Sequence, residues 1–301
     1  MKKFHQNVDK RYEKLEKFST LNNPINLFNN NSNDCSKITT KNYSTSFTLG
    51  IQTLNEKYHK PIYSIYGFVR FADEIVDSLF EHNQKKLLEK FKKETFKAIE
   101  RKISLNPILN SFQLCVNKYN IPLELIEAFI YSMEMDLYKK KYNQIDYEKY
   151  IYGSAEAVGL MCLKVFCEKK DEYESLKSYA KSLGSAFQKI NFLRDIKSDF
   201  YDRRRIYFPN IQFGSINDKI KKNIEKDILK DFQNGLIGIK KLPIEAKFGV
   251  YLSYQYYLKL FHKISNLTVN SIKNKRIRIS NLSKFTTLIK SYCLIKFNLM
   301  K

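Results

Sequence analysis

An all-α fold is predicted by three features of the 301-residue chain. Apolar residues recur at helical rather than strand spacing almost throughout. The prolines Pro24, Pro61, Pro107, Pro122, Pro209 and Pro243 fall between periodic stretches or at their starts, where a missing N–H costs a helix little. No alternating run is long enough to suggest a sheet. With 43% hydrophobic and 28% charged residues, the chain can bury one large core and is neither disordered nor collagen-like.

The periodicity places helices near 4–19, 44–58, 62–80, 84–103, 106–119, 122–140, 146–168, 172–201, 217–241, 244–263 and 281–297. A polar stretch, 22–34 with NNP and NNNSND, reads as a loop joining an N-terminal helix to the body. This divides the chain into an N-terminal helix with its loop, 1–34, and a main domain, 35–301. Two further irregular stretches are 202–215, around RRRIYFP, and the basic run 273–278. Helices resume directly after each, so neither marks a domain boundary. No repeat at fixed period is present.

Lys and Arg number 53 against 31 Asp and Glu, a net charge of +22 that suggests an anionic partner without choosing one. The five cysteines, Cys35, Cys115, Cys162, Cys167 and Cys293, form no CxxC pair, which argues against a disulfide framework or a zinc ribbon. The four histidines are isolated, so no HExxH site exists. The basic start has no apolar run behind it, unlike a secretory signal. The longest apolar run, Ala157–Phe166, is broken by Lys164 and too short to span a bilayer. The expectation is a soluble, cytoplasmic protein in a reducing compartment, able to touch a membrane surface.

Two polar ridges carry the chemistry. On the helix near 62–80, Tyr63, Tyr66, Arg70, Asp73 and Asp77 follow at steps of 3, 4, 3 and 4, which sets them on one face. Ile65, Val69, Ala72 and Val76 take the other. Asp73 and Asp77 repel each other by roughly 0.2–0.5 kcal/mol at this spacing. Arg70 or a bound cation would offset that. On the helix near 172–201, Gln188, Asn191, Asp195 and Asp199 form a second ridge beside Arg194, in a helix otherwise rich in Ala180, Leu183, Phe187, Ile190 and Phe192. A single DxxxD pair is more often a solvated acidic face. Two pairs, each extended by Arg, Asn or Gln, read instead as facing walls of a cavity. Oxygen-only donors without His or Cys favour magnesium over zinc or iron, and the arginines suit phosphate geometry.

These residues resemble the squalene/phytoene synthase family. DEIVD (73–77) resembles its first aspartate-rich motif and NFLRDIKSD (191–199) its second. NYSTSF (42–47) resembles the N-terminal SxSF segment. YIYGSAEAVG (150–159) resembles the Tyr-rich segment, and RIYFP (205–209) the Arg-x-Tyr-x-Pro loop. The motifs run in family order over roughly 35–265, and the stretch is most similar to bacterial phytoene synthases. Two positions depart: Glu156 stands where many members have Gly, and Arg203-Arg204 where a Gly often precedes the loop arginine.

The resemblance implies a single-domain isoprenoid synthase fold, a helical bundle around a central cavity with two facing aspartate-rich helices. It implies head-to-head condensation of two geranylgeranyl diphosphates through a cyclopropyl diphosphate to phytoene, in carotenoid biosynthesis. Asp73, Asp77, Asp195 and Asp199 would ligate Mg²⁺, with Mn²⁺ as a substitute. Arg70, Arg194, Ser44 and Ser46 would meet diphosphate oxygens. Gln188 and Asn191 would complete the ridge, with Tyr207 closing over it. Tyr150 would place a hydroxyl near the reacting carbons. Phe47, Tyr66, Tyr150, Phe187 and Phe192 would supply π-faces in a dry cavity. The small residues Ala155, Val158, Gly159, Cys162 and Ala180 would leave room for a prenyl tail. No nicotinamide is expected, and no GxGxxG follows a strand. The aliphatic substrate implies transient contact with a membrane surface, at the inner face, and pathway logic a downstream desaturase. The same-fold alternative is a squalene or dehydrosqualene synthase using two farnesyl diphosphates. The alternative of another class is a basic helical nucleic-acid binder, against which the inward carboxylates stand; no nucleic-acid partner is expected.

Overall fold

The first helix breaks a compositional expectation. The computed structural model describes residues 23–209, 211 and 215–297, so the helix expected near 4–19 lies outside it. Helix α1, Pro24–Tyr43, starts on Asn23, whose side chain accepts the Ile25 N–H, with Pro24 in the first turn. The asparagine-rich stretch expected to be a loop is therefore helical, and α1 runs across the boundary expected at residue 34. The cause is a polar interface with a later helix, α5, Pro107–Tyr119. Ser36 Oγ lies 2.5 Å from Ser111 Oγ. Asn110 Nδ2 donates to Asn29 Oδ1 at 2.9 Å and to Ser32 Oγ at 3.1 Å. Short polar side chains that satisfy one another pack closely without an apolar stripe, so hydrophobic periodicity does not reveal them.

Ser44, extended at φ −148°, ends α1 and caps α2, Thr45–Gln52, by accepting the Phe47 N–H at 3.2 Å. A 3₁₀ turn, Glu56–Tyr58, leads into α3, His59–Asp77. Helix α4, Gln84–Arg101, packs on α3 and α5, and α6, Leu123–Tyr138, packs on α3 and α4. Phe68 of α3 stacks on Phe112 at 3.9 Å between ring centroids and lies 5.5 Å from Phe91, at the centre of one core. Helix α7, Gln144–Ile151, does not continue as expected: a π-helical turn, Tyr152–Glu156, joins it to α8, Ala157–Phe166. Gly153 seats this turn against α6, because a Cβ there would strike the Ala128 carbonyl. The extra residue turns Ser154 and Ala155 toward the central cavity.

Helix α9, Lys170–Arg194, stops one residue short of its aspartates. Asp195 (φ −99°, ψ 10°) forms a break, and α10, Ile196–Tyr201, follows. The second ridge thus crosses a bend rather than following one straight helix. Helices α11, Asp218–Lys241, and α12, Ile244–Ser265, pack on α9 around a second core that holds Phe192, Phe232, Tyr254 and Phe261. A short α13, Val269–Asn274, overlaps the start of the basic run, and α14, Asn281–Lys296, lies against α12. Among the described residues there is no strand, only an isolated bridge between Lys141 and Ile206. None of the described helices is long and apolar enough to cross a membrane.

In the loop after α10, Arg204 has φ +54°. That left-handed conformation suits glycine, which accounts for Gly being common there in the family the sequence resembles. Glu156, the other departure, points away from the cavity toward Lys181, 3.4 Å distant.

Candidate active site

A cavity of about 640 Å³ lies between α3 and α9, where the two cores meet. Along α3 it is lined by Ile62, Ile65, Tyr66, Val69, Arg70, Asp73 and Asp77. Its polar end follows the expected ridge. Its apolar end does not: Tyr63 is buried in the core, while Ile65 and Val69, expected on the opposite face, line the wall. Along α9 the wall runs through Leu176, Ala180, Leu183, Phe187, Gln188, Asn191 and Arg194, and ends on Asp195.

Apart from Tyr63, the polar, aromatic and small residues assigned to the site from the sequence reach this one space. Ser44, Ser46 and Phe47 enter from the α1–α2 junction, and Tyr66, Arg70, Asp73 and Asp77 from α3. Tyr150 and Val158 come from either side of the π turn. Gln188, Asn191, Arg194 and Asp195 come from the end of α9, Asp199 from α10 and Tyr207 from the following loop. Among the proposed aromatics Phe47 lies 5.6 Å from Tyr66 and Tyr150 5.8 Å from Phe192 between ring centroids, while Phe187 stacks on Tyr257, which the sequence did not single out, at 3.9 Å.

The polar end is rich in carboxylates and arginines. Arg203 ties the two aspartate helices together, 3.4 Å from Asp77 and 2.9 Å from Asp199. Arg194 pairs with Asp195 through both ends of its guanidinium, and Arg276 reaches the same carboxylate at 2.8 Å. Arg70 pairs with Glu74, lies 4.0 Å from Asp73 and stacks over Tyr43. The Nε atoms of Arg70 and Arg205 are buried without a hydrogen-bond partner among the described residues, and Arg70 is the one of the two that lines the cavity. Burial, then the neighbouring Asp77, pushes the Asp73 carboxyl up to about 8. Burial and the charge of Asp195 push Asp199 up to about 7, against the pull of Arg203.

Sequence reasoning missed the group beneath this ridge. Asp136, on α6, is 3% exposed. It accepts hydrogen bonds from Tyr150 at 2.7 Å and Tyr207 at 2.8 Å, and Arg205 lies 3.4 Å away. Arg205 also bonds Asp77 at 2.9 Å, so one buried guanidinium links the metal-type ridge to the tyrosines. The run FIYSMEMDLY holds two acids, Glu134 and Asp136, which two residues apart fall on different faces of the helix, and no local signal says that Asp136 is the one turned inward. Burial raises its carboxyl to about 6, opposed by Arg205 and the two tyrosine hydrogen bonds. A raised native value means that the folded state holds this proton more tightly than the unfolded chain. Its contribution is therefore most favourable near pH 4 and fades as the pH rises through about 6. Asp136→Asn should flatten the stability–pH curve over that window by up to about 1.4 kcal/mol per pH unit. Denaturant melts from pH 4 to 7 check this, and identical slopes for the two proteins would refute it.

The polar end offers a donor set for a divalent cation. Among the described residues no three acidic, His or Cys side chains converge on one point. The arrangement is two carboxylate pairs within reach of a single arginine, with oxygen donors only. Magnesium suits such a place, since it takes one or two carboxylates and completes its shell with water and substrate phosphates. The raised Asp73 and Asp199 mark negative charge that a cation would relieve. The residues present fit the ion.

Comparison with known proteins agrees with this geometry. The family model for squalene/phytoene synthase matches residues 40–213. Phytoene synthase 2 of Oryza sativa is 26% identical over 278 residues, 83% of this chain and 67% of the relative. The 4,4'-diapophytoene synthase of Staphylococcus haemolyticus is 28% identical over 202 residues, 64% of this chain and 67% of the relative. A solved dehydrosqualene synthase superposes with a TM-score of 0.75 at 20% identity, covering 89% of this chain and 98% of that one. A squalene synthase from Alicyclobacillus acidocaldarius gives 0.68 at 18% identity, covering 82% and 96%. The fold is shared with these structures, the family match spans more than half of the chain, and the chain belongs to the squalene/phytoene synthase family.

Proposed function

We propose that this head-to-head synthase joins two geranylgeranyl diphosphates and releases phytoene. The observation that carries the chain length is the run of the cavity wall. From Ile62 to Asp77 the lining residues of α3 span fifteen helical steps, about 22 Å at the helical rise. An extended carbon zig-zag advances about 3.5 Å per three bonds, as in a polypeptide. By that measure geranylgeranyl spans about 18 Å and farnesyl about 13 Å. With the diphosphate at Asp73 and Asp77, the longer chain uses the wall and the shorter leaves its apolar end empty. The match to a plant phytoene synthase over 83% of this chain supports the same reading.

The residues meet the demands of the chemistry in turn. One C1–O bond breaks and diphosphate leaves; the allylic cation adds across the double bond of the second substrate and a proton departs, closing a cyclopropane. A second diphosphate leaves, the ring rearranges, and loss of a proton gives the central double bond. Mg²⁺ held by Asp73, Asp77, Asp195 and Asp199 would neutralise the departing diphosphates. Arg70, Arg194, Ser44 and Ser46 bind diphosphate oxygens, and Gln188 and Asn191 orient them. Phe47, Tyr66, Phe187 and Phe192 exclude water and turn π-faces to the cation. Asp136 holds the Tyr150 hydroxyl in place beside Tyr207.

The test is a product assay with purified protein, Mg²⁺ and no nicotinamide, offering geranylgeranyl and farnesyl diphosphate separately and together. A C40 triene formed from the C20 substrate is expected. A C30 product made in preference would move the assignment to the dehydrosqualene or squalene branch, and dependence on added NADPH would separate those two.

A further inference from the structure

Helix α14 is amphipathic in the reverse sense. Leu282, Phe285, Ile289 and Tyr292, spaced 3, 4 and 3, lie on one face and are between 49% and 73% exposed. Phe297 continues the stripe just past the helix end, at 64%. The small polar residues Thr287 and Ser291 are the ones buried, at 2% and 1%. An interior-facing helix would place them the other way round. Large exposed apolar stripes of this kind mark interaction sites.

The charge around the stripe says what it meets. From residue 246 to the end, the chain carries eleven Lys and Arg and not one Asp or Glu. Lys290 and Lys296 are exposed on the same helix, and Lys263, Lys275 and Arg278 on the neighbouring segments. A protein partner would supply acidic groups for these cations but has no general need of five aligned large apolar side chains. Nucleic acid would use the cations and leave the stripe in water. An anionic bilayer uses both, with phosphate head groups for the lysines and the acyl boundary for Leu, Phe, Ile and Tyr. We propose that α14 is the face by which the protein lies on an anionic lipid bilayer.

Its position joins that face to the cavity. Helix α12 lines the cavity through Val250, Ser253 and Tyr257 on one side and carries α14 on the other. Lys284 of α14 donates a hydrogen bond to Thr45, between Ser44 and Ser46 at the rim. A protein resting on α14 therefore holds one edge of the cavity mouth close to the membrane. An aliphatic substrate or product would then cross little water.

The experiment is co-sedimentation of the full chain with phosphatidylcholine vesicles, with and without phosphatidylglycerol, over a salt series. Binding to the anionic vesicles at physiological salt is expected, weakening steeply as salt rises. Phe285→Ser with Ile289→Ser should reduce that binding tenfold or more with an unchanged melting curve. Should that pair fail to fold, Lys290→Glu with Lys296→Glu, both at exposed positions, should reduce it similarly. Wild type that ignores anionic vesicles would overturn the proposal, as would binding unaffected by either pair. A dimer in solution that the Ser variant dissolves would assign the face to a second copy instead. A DNA duplex that strips the protein from vesicles at physiological salt would assign the charge to nucleic acid. No turnover is read, so failure here leaves the assignment of the active site standing.

Discussion

Asp73→Asn is expected to lower turnover by two to three orders of magnitude while leaving the protein as stable as before, or slightly more so. The two effects have one cause. Asp73 faces Asp77 one turn away in a cavity wall, and its carboxyl is pushed up to about 8 by burial and that neighbour. Asparagine keeps the shape and stands in for the protonated carboxyl that the metal-free protein favours near neutral pH, and it removes up to roughly 0.2–0.5 kcal/mol of repulsion where Asp73 is ionised. What is lost is negative charge needed only when a cation and a diphosphate are present. Removing one such preorganised group typically costs two to three orders of magnitude in rate. Steady-state rates over a Mg²⁺ series, with a melting curve in chelator, check both halves. Near-normal activity at limiting Mg²⁺ would show that Asp73 is no ligand, and a large fall in melting temperature would show that it supports the fold.

Arg205→Met is expected to destabilise the protein by about 3–5 kcal/mol, the usual cost of removing one partner from a buried charge network. Arg205 is 4% exposed and lies between Asp77 and Asp136, and it also reaches the Val76 carbonyl. Methionine fills much of the volume but leaves the buried Asp136 without a cation, while Asp77 keeps Arg203. Asp136 then keeps its tyrosine hydrogen bonds and loses the charge that held its carboxyl down, so it is driven to protonate. Combining Arg205→Met with Asp136→Asn should therefore cost less than the sum of the single changes, by about 1–3 kcal/mol. A double-mutant cycle by denaturant unfolding measures this. Strict additivity would mean that the two side chains act independently and that the link between ridge and tyrosines carries no energy.

The contrast between Asp73 and Asp136 shows what a sequence can and cannot display. Asp73, Asp77, Asp195 and Asp199 were legible because each pair repeats at helical spacing beside other polar groups, and periodicity turns spacing into a shared face. Asp136 belongs to no such repeat, and in sequence it looks like Glu134 two residues earlier, which pairs with Lys92 instead. Arg203 and Arg205 sit in a loop, where no period links sequence distance to direction, so their bridging of two helices emerges only in three dimensions. The break at Asp195 has no proline or glycine to announce it. The π turn has Gly153, but a glycine in a helical run does not by itself say which neighbour comes close. The asparagine-rich start of α1 failed for the opposite reason. Its composition is that of a loop, yet Asn29, Ser32 and Ser36 find partners on α5 that no local rule foresees.

The most direct test of the facing aspartate ridges is equilibrium binding of inorganic pyrophosphate by calorimetry, with Mg²⁺ and with chelator, for wild type and Asp73→Asn. The geometry predicts that Mg²⁺ tightens binding to wild type on the order of a hundredfold, about 2.7 kcal/mol, and that most of this gain vanishes in the variant. Equal affinity with and without Mg²⁺, or a metal effect untouched by Asp73→Asn, would contradict the assignment of these carboxylates as the seat of a metal-bridged diphosphate.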